Sequence, residues 1–280
     1  MTVISFGKLT SNVSRMAVVG VTVLALSGCA NLFGPPKIQE ETVIPPAALY
    51  ATALKDMDAQ RYNTAIAALE KLDRQSPNSE YAEKAKLMQV YGNYRIGKFD
   101  EAILAADRYL AVFPQSKEVP YVLYLKGTSY FAQIKDITRD QQLSRDAIET
   151  YTLLINNYPK SEHAKDAKDK MVIAVDQLAG KEMSVGRYYL GNGNYTAAIN
   201  RFRVVVENYQ TSTHIEEALY RLTEGYLALG LVNEAQTAAA VLGHNYPSST
   251  WYKTAFDLLN KQGLEPKVVD GNWIAAQKKA

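Results

Sequence analysis

The sequence carries few of the side chains that perform acid–base or metal chemistry. It has three histidines, His163, His214 and His244, and one cysteine, Cys29. No two histidines have the i, i+4 spacing of zinc ligands on a helix, and no glycine-rich phosphate-binding loop follows a strand-like segment. His163 and His214 occupy equivalent positions of a repeat described below, so packing accounts for them. We therefore expect no catalytic residue, no metal site, no cofactor and no enzyme activity.

The single cysteine follows an apolar segment near the N-terminus. Residues 1–28 contain two basic residues, no acidic residue and an apolar run over residues 16–26. The run is shorter than the ~20 residues that span a bilayer, which is typical of a secretory signal peptide. It ends at residues 26–29, Leu-Ser-Gly-Cys, which resemble the lipobox of bacterial lipoproteins.

This resemblance implies cleavage before Cys29 and lipidation of its thiol and of the new amino group. One acyl chain binds a membrane only marginally, so the several chains of a bacterial lipoprotein would form a stable anchor. Ala30 follows the cysteine, where the usual inner-membrane retention signal has Asp. We therefore expect a lipid-anchored protein at the periplasmic face of a Gram-negative outer membrane.

The mature chain is expected to be nearly neutral and to begin with a tether. Removing residues 1–28 leaves 29 basic and 29 acidic residues. A nucleic-acid-binding protein needs a basic excess, so we expect no nucleic-acid partner. Residues 29–46 are rich in proline and have no helical period, and they predict an extended tether that follows the lipidated Cys29.

The element that organises the rest of the chain is a helix pair at residues 185–210. Gly186, Gly193, Ala198 and Phe202 have the spacing of a tetratricopeptide helix-turn-helix unit. Gly186 and Ala198 are small enough for two helices to approach closely, and Phe202 fills the space beside them. Gly193 can adopt the left-handed conformation that ends the first helix, helix A, before the second, helix B, begins.

The same spacing occurs five times. Each unit has an alanine, followed twelve residues later by proline, or by Gln210 in the fourth unit, and fourteen residues later by serine. Proline ends helix B, and serine can cap the next helix A. The sequence therefore predicts an all-α tetratricopeptide (TPR) solenoid of five helix-turn-helix repeats with a C-terminal capping helix, over residues 47–263, and a disordered tail at residues 264–280. The reference alanines are Ala65, Ala102, Ala147, Ala198 and Ala235, and the serines are Ser79, Ser116, Ser161, Ser212 and Ser249.

Two units carry insertions. The reference alanines are 37, 45, 51 and 37 residues apart. Eight extra residues around residues 135–140 are expected to lengthen a connection between helix A and helix B. Fourteen extra residues before Gly186 make about four helical turns, so helix A can lengthen without rotating its packed face. We predict one helix from about residue 162 to 190, with a weak point at Gly180.

Tyrosine is abundant, with 19 residues. Most of them fall at packing positions, and core filling is the default explanation. Four tyrosines on helix A of the early units, Tyr91, Tyr94, Tyr121 and Tyr124, could instead line a groove. There they would pack against a bound extended segment and form hydrogen bonds to its backbone.

Taken together, these features resemble the BamD family of outer-membrane β-barrel assembly lipoproteins. The similarity covers residues 29–263 and is strongest at residues 113–116, Phe-Pro-Gln-Ser, at the following Pro120-Tyr121, and at residues 191–226. It implies an adaptor of the β-barrel assembly (BAM) complex. In that family the N-terminal repeats bind the targeting signal of unfolded outer-membrane proteins, which would place substrate near the four tyrosines.

The resemblance also implies docking of the C-terminal repeats to the periplasmic domain of BamA, alongside other BAM lipoproteins. Arg201, beside Phe202 on helix B of the fourth repeat, is the first docking candidate that it suggests, and Glu216 and Glu217 are secondary candidates. The alternative for Arg201 is an ordinary exposed helix residue. The fourth repeat, which ends at Gln210 instead of proline, is the leading docking unit.

Two other functions fit parts of the pattern. A lipid-anchored TPR scaffold for Tol-Pal or peptidoglycan-related processes would share the Pro-x-Ser junctions. An envelope hydrolase supported by a repeat array would need sequence beyond the repeats, and the repeats and the cap occupy nearly everything after the tether. Identifying the copurifying partners would separate the first alternative from a barrel-assembly adaptor.

Overall fold

The computed structural model describes residues 42–137, 139–269 and 271–277. The predicted signal peptide, Cys29 and most of the predicted tether lie outside the described residues. Ile44–Ala280 forms one compact unit. Within the described part of the chain, no helix is both long enough and apolar enough to cross a membrane.

Eleven α-helices follow one another along the described residues, and consecutive helices pack together. They form five pairs and a capping helix, which confirms the predicted all-α TPR solenoid. Helix A of each middle repeat also contacts the next helix A, α3 with α5 and α5 with α7. The helices are α1 (Pro46–Asp58), α2 (Tyr62–Gln75), α3 (Ala82–Arg95), α4 (Phe99–Val112), α5 (Val119–Ala132), α6 (Gln142–Asn157), α7 (Ala164–Gly191), α8 (Tyr195–Asn208), α9 (Ile215–Ala228), α10 (Val232–Asn245) and α11 (Thr250–Asn260), with a 3₁₀ helix at Trp273–Gln277.

A glycine on helix A facing an aromatic ring on helix B sets the spacing of two pairs. A Cβ atom added to Gly186 would lie 2.5 Å from Cε1 of Phe202, and one added to Gly127 would lie 2.6 Å from Cε1 of Tyr151. Both rings are completely buried. The helices are therefore as close as a glycine allows, as the spacing of Gly186 and Phe202 predicts.

The turns between helix A and helix B follow the predicted chemistry. Gly97, Gly193 and Gly230 have φ angles of 74°, 71° and 72°. Gln60 stands at the same place in the first repeat with a φ of 56°, the one described non-glycine residue with a positive φ. The first repeat therefore has the same left-handed turn conformation with glutamine in place of glycine, the residue that adopts it most easily.

The junction after the fourth repeat has the same backbone as the others, although Gln210 replaces proline. The Tyr209 N–H donates to the Val205 carbonyl at 2.9 Å, as the Tyr158 N–H does to the Leu154 carbonyl in the third repeat. The predicted serine cap forms at α11, where the Ser249 hydroxyl accepts a hydrogen bond from the Trp251 N–H at 3.1 Å. The hydroxyls of Ser116 and Ser161 accept from the Glu118 and His163 N–H groups, just before α5 and α7, at 3.0 and 3.3 Å, so they close the junction and do not cap the helix. The hydroxyls of Ser79 and Ser212 are buried without a hydrogen bond.

The fourteen-residue insertion lengthens α7, which runs through Ala164–Gly191 for 28 residues, or about 42 Å. The predicted weak point is absent, because the chain is helical through Gly180. Gly180 is a packing position instead. An added Cβ atom there would lie 3.1 Å from Nε2 of His214 and 3.7 Å from Cγ2 of Ile137. Since Ile137 belongs to the eight-residue insertion, the two insertions pack against each other.

The two halves of α7 belong to different hydrophobic cores. Ala167, near its start, packs in a core with Tyr151, whereas Met183, near its end, packs in a core with Phe202. All four residues are completely buried. The long helix therefore joins the middle repeats to the C-terminal repeats.

The predicted disordered tail at residues 264–280 is wrong for the part that the structure describes. Residues 264–269 and 271–277, which we call the C-terminal strap, contact α8 and α10. Ile274 is completely buried in the C-terminal core, and Nε1 of Trp273 donates a hydrogen bond to the Tyr226 hydroxyl at 3.3 Å. The strap has no helical period in its sequence, so its order is not predictable from a local pattern. Its order comes from contacts with the repeats. The folded body thus extends beyond the predicted boundary at residue 263.

The close approach of α7 and α8 gives a stability prediction. Gly186→Ala should lower the free energy of unfolding by about 1–3 kcal/mol, because the added Cβ atom meets the Phe202 ring. Gly191→Ala is the matched control on the same helix, where nothing lies within 4 Å of the added atom. It should be neutral or stabilising by up to about 1 kcal/mol. Urea unfolding of both variants measures the difference, and equal effects would contradict the packing described.

Candidate functional site

The four predicted tyrosines form one cluster. Tyr91 and Tyr94 lie on α3, Tyr121 and Tyr124 lie on α5, and all four side chains are half-buried. Burial raises the pKa of Tyr121 to about 12, and the other three phenols, which lie close by, add to the rise. The structure therefore brings these tyrosines together, and we call this surface the tyrosine face.

A cation, Arg95, belongs to the tyrosine face. Its guanidinium lies over the rings of Tyr62 and Tyr91, at 5.2 and 5.4 Å from their centres, and Nη1 donates a hydrogen bond to the Tyr91 hydroxyl. That bond is the main reason why the pKa of Arg95 is raised above its ordinary value. Within the described residues the partners of Arg95 are tyrosines, so its positive charge is available to an anionic group. Tyr94 packs beside it against Phe99, with the ring centres 6.1 Å apart.

His163, at the start of α7, closes the other side of the tyrosine face. Its ring stacks on Tyr121 and on Tyr124, with ring centres 5.0 and 4.8 Å apart and interplanar angles of 29° and 18°. The sequence assigns His163 to packing at a repeat position, and the structure agrees. The residues it packs against are the predicted site tyrosines.

An ion pair on α7 fixes the orientation of Tyr124. The Tyr124 hydroxyl donates to Oδ2 of Asp166 at 2.7 Å, and Nζ of Lys170 donates to the same oxygen. The Lys170 bond, followed by the Tyr124 bond, lowers the pKa of Asp166 below its ordinary value of 3.8. Burial raises the pKa of Tyr124, and its bond to Asp166 adds to the rise. The phenol therefore remains a hydrogen-bond donor at neutral pH.

A cleft of about 520 Å³ opens beside the tyrosine face, between the starts of α5 and α7 and the end of α6. Tyr121 and His163 form part of its wall, with Pro120, Tyr158 and Lys160 among the other lining residues. Flat rings and prolines provide apolar contact surface, and the charged lining residues are of both signs, two lysines and two glutamates. The cleft shares Tyr121 and His163 with the tyrosine face, so the two surfaces are continuous.

These groups are suited to recognising an extended polypeptide. Tyrosine rings offer apolar area together with a hydroxyl that can bind a main chain, and Arg95 can bind a carboxylate. Over the residues described, no three His, Cys, Asp or Glu side chains are grouped so that they could hold a metal ion. The tyrosine face thus presents aromatic surface, hydroxyl groups and the Arg95 guanidinium to a ligand.

The sequence predicts the tyrosines of this site but misses Arg95, Asp166 and Lys170. A signal for Arg95 is present, because it follows Tyr91 by four residues and so lies on the same helix face. No comparable signal exists for Asp166 and Lys170, which reach Tyr124 from a different helix. From the sequence alone, both residues are interpreted as part of an exposed helix face with mixed charge.

The three predicted docking residues all have partners within the chain. Nη1 of Arg201, on α8, donates to Oε2 of Glu182 on α7 at 3.1 Å, although 44% of the Arg201 side chain remains exposed. Glu217 accepts hydrogen bonds from Arg187 at 2.9 Å and from Arg221 at 3.3 Å, and only 15% of its side chain is exposed. Of these two residues, Arg201 offers more surface to a partner.

Glu216 forms a hydrogen bond that recurs at the equivalent place in another repeat. It accepts a hydrogen bond from the Ser249 hydroxyl at 2.5 Å, across a separation of 33 residues. Glu83 accepts one from the Ser116 hydroxyl at 2.6 Å across the same separation. The same bond thus ties the first turn of a helix A to the next junction in two repeats, which gives Glu216 a structural role independent of docking.

Comparison with known proteins places this geometry in a family context. A family model named YfiO and described as "Outer membrane lipoprotein" matches residues 43–255. The chain is similar to proteins named outer membrane protein assembly factor BamD. The relative from Caulobacter vibrioides is 41% identical over 91% of this chain and 84% of its own length. The relative from Rickettsia prowazekii is 38% identical over 90% of this chain and 98% of its own length. The relative from Neisseria meningitidis is 33% identical over 82% of this chain and 90% of its own length.

The Asp166 network predicts a pH dependence. Because the pKa of Asp166 is lowered, its contacts should contribute stability above the ordinary pKa of 3.8 and lose it as the pH falls through the lower folded value. Lys170→Met should raise the pKa of Asp166, since the Lys170 bond is the largest cause of the shift. Lys168→Met, an exposed neighbour on the same helix, is the control. Carboxyl ¹³C NMR titration measures the change, and an ordinary Asp166 pKa in the unmodified protein would refute the network.

Proposed function

Because the chain belongs to the YfiO family of outer membrane lipoproteins, we propose that it is a non-catalytic adaptor of the BAM complex. In this function it is anchored through lipidated Cys29 at the periplasmic face of the outer membrane. It binds unfolded outer-membrane β-barrel proteins through its early repeats and the periplasmic domain of BamA through its late repeats. The names of its relatives support barrel assembly over a Tol-Pal or peptidoglycan scaffold.

The observation that carries substrate binding is the tyrosine face with Arg95. An unfolded β-barrel segment is extended, and its main chain has unpaired donors and acceptors that tyrosine hydroxyls can satisfy. Arg95 can pair with a carboxylate of that segment, because its partners in the free protein are tyrosines. A hydrogen bond to a charged group contributes about 1.5–3 kcal/mol, so one such pair strengthens capture and leaves it reversible.

The half-exposed Arg201 supports docking at the fourth repeat. Its guanidinium is held toward α7 by Glu182, which orients it before any partner arrives. A pre-oriented arginine can bind a partner carboxylate at a smaller entropic cost than a free one. Glu217 is mostly buried under two arginines, which fits a role in supporting this surface more than direct contact.

A charge swap separates docking from the internal ion pair. Arg201→Glu should lower copurification with BamA at least about tenfold, by replacing an attraction with a repulsion. The double variant Arg201→Glu with Glu182→Arg restores an internal pair of reversed polarity. If Arg201 contacts BamA, the double variant stays defective. Arg108→Glu, an exposed arginine on α4, is the matched control and should behave as the unmodified protein.

Two results would remove Arg201 from the docking surface. One is unchanged copurification of the Arg201→Glu variant. The other is full recovery in the double variant, which would assign the defect to the broken internal pair. Copurification of Tol-Pal components in place of an outer-membrane β-barrel with periplasmic domains would contradict the proposed function as a whole.

A further inference from the structure

The C-terminal strap is held on α10 by bonds to its main chain. Nε2 of Gln236 donates to the Glu265 carbonyl at 2.8 Å. The Thr237 hydroxyl, which donates to the Asn233 carbonyl of its own helix at 2.8 Å, accepts from the Val269 N–H at 3.2 Å. Side chains that bind a main chain in this way recognise an extended segment whatever its sequence.

The far end of the strap is held in the same manner. Nδ2 of Asn245 donates to the Gln277 carbonyl at 2.9 Å, and the Gln210 amide donates to the Gln277 side chain. Gln210 is the residue that replaces the closing proline of the fourth repeat. A proline there would offer no amide to the strap, so this departure from the repeat pattern has a partner in the strap.

Two strap side chains provide specificity. The Arg203 guanidinium on α8 lies 4.5 Å from the centre of the Trp273 ring, whose Nε1 donates to the Tyr226 hydroxyl. The next residue, Ile274, is completely buried. The groove therefore selects an aromatic residue followed by an aliphatic one, at a site made from three helices.

The groove differs from the equivalent surface of the second repeat. Thr237 and Asn245 lie two and ten residues after the reference alanine of the fifth repeat, where the second repeat has Leu104 and Val112. Those apolar side chains are 51% and 55% exposed. The third and fourth repeats also have polar residues at these two positions, so the polar side chains are not unique to the fifth repeat. In the fifth repeat Thr237 and Asn245, together with Gln236, form hydrogen bonds to the main chain of the strap.

The strap is joined to the repeats in a way that permits release. Gly263, with a φ of 70°, precedes it, and Gly271, with a φ of 78°, lies within it. Among its described residues only Ile274 is buried, and its one regular element is the five-residue 3₁₀ helix. A segment with so little burial opens at a lower free energy than the helices beneath it.

We propose that the groove between α8 and α10 is a peptide-recognition site and that the C-terminal strap is its resident ligand in the free protein. An extended segment of a partner protein, with an aromatic residue followed by an aliphatic one, replaces the strap. Because the strap is tethered, its effective concentration is of the order of millimolar, so the incoming segment must bind tightly or be presented by a partner that is already docked. This site is separate from the tyrosine face and from Arg201.

A labelled peptide that copies residues 264–280 tests the proposal on the mature full-length chain. Trp273→Ala in the protein weakens the resident strap, so the peptide should bind this variant at least about tenfold more tightly than the unmodified protein. Adding Arg203→Ala removes the groove contact for the peptide's own tryptophan and should abolish the gain. Lys267→Ala changes an exposed strap side chain and keeps the main-chain bonds, so it should bind the peptide as weakly as the unmodified protein. Fluorescence anisotropy measures all four proteins.

Equal peptide binding by the unmodified and Trp273→Ala proteins would overturn the proposal, as would a gain that survives Arg203→Ala. A second measurement covers the case in which the variants fold poorly. In the unmodified protein, amide hydrogens of the strap should exchange with solvent faster than those of α10. Exchange of the strap together with α10, in one cooperative step, would make the strap a fixed part of the core and would also overturn the proposal.

Discussion

The continuity of α7 is the constraint on which the rest of this structure depends. Its first half packs in the core of the middle repeats, and its second half packs in the core of the C-terminal repeats. Asp166, near its start, orients the tyrosine face, and Glu182, further along, orients Arg201. Sixteen residues separate the two carboxylates, so a rigid helix holds them about 24 Å apart along its axis. The proposed substrate and docking surfaces thus share one element.

The continuity of α7 explains the length of the fourteen-residue insertion. Fourteen residues amount to nearly four helical turns, so the extension leaves the packed face of α7 aligned with α8, and Gly186 meets Phe202 as an ordinary repeat glycine would. The extra turns also carry Asp176, whose Oδ1 accepts hydrogen bonds from the Thr213 N–H and hydroxyl at 2.7 and 2.8 Å. The extension therefore braces the start of α9 as well as the inserted loop around Ile137. An interrupted helix could not maintain these contacts together.

Much of the fold is predictable because it is local and repeated. Alanine and glycine at fixed spacings, glycine at the turns and proline at the junctions act within one helix pair, and each recurs along the chain. The order of the C-terminal strap depends on contacts across residues 210–277, which no local pattern encodes. For the same reason the tyrosines are predictable from helix position, while Asp166, which reaches Tyr124 from another helix, is not. The internal partners of Arg201 and Glu216 are likewise visible only in the structure.

The proposed function requires the tyrosine face to capture extended segments of unfolded β-barrel proteins. This capture is measured by the binding of a labelled synthetic peptide, copying the last strand of an outer-membrane β-barrel protein, to the mature chain and to two variants. Saturable binding should weaken about tenfold in Arg95→Ala, because the charge-assisted hydrogen bond to a peptide carboxylate is lost, and should be unchanged in Lys98→Ala, an exposed cation on the adjacent turn. Equal binding by the Arg95→Ala variant, or no saturable binding to the unmodified chain, would contradict the account.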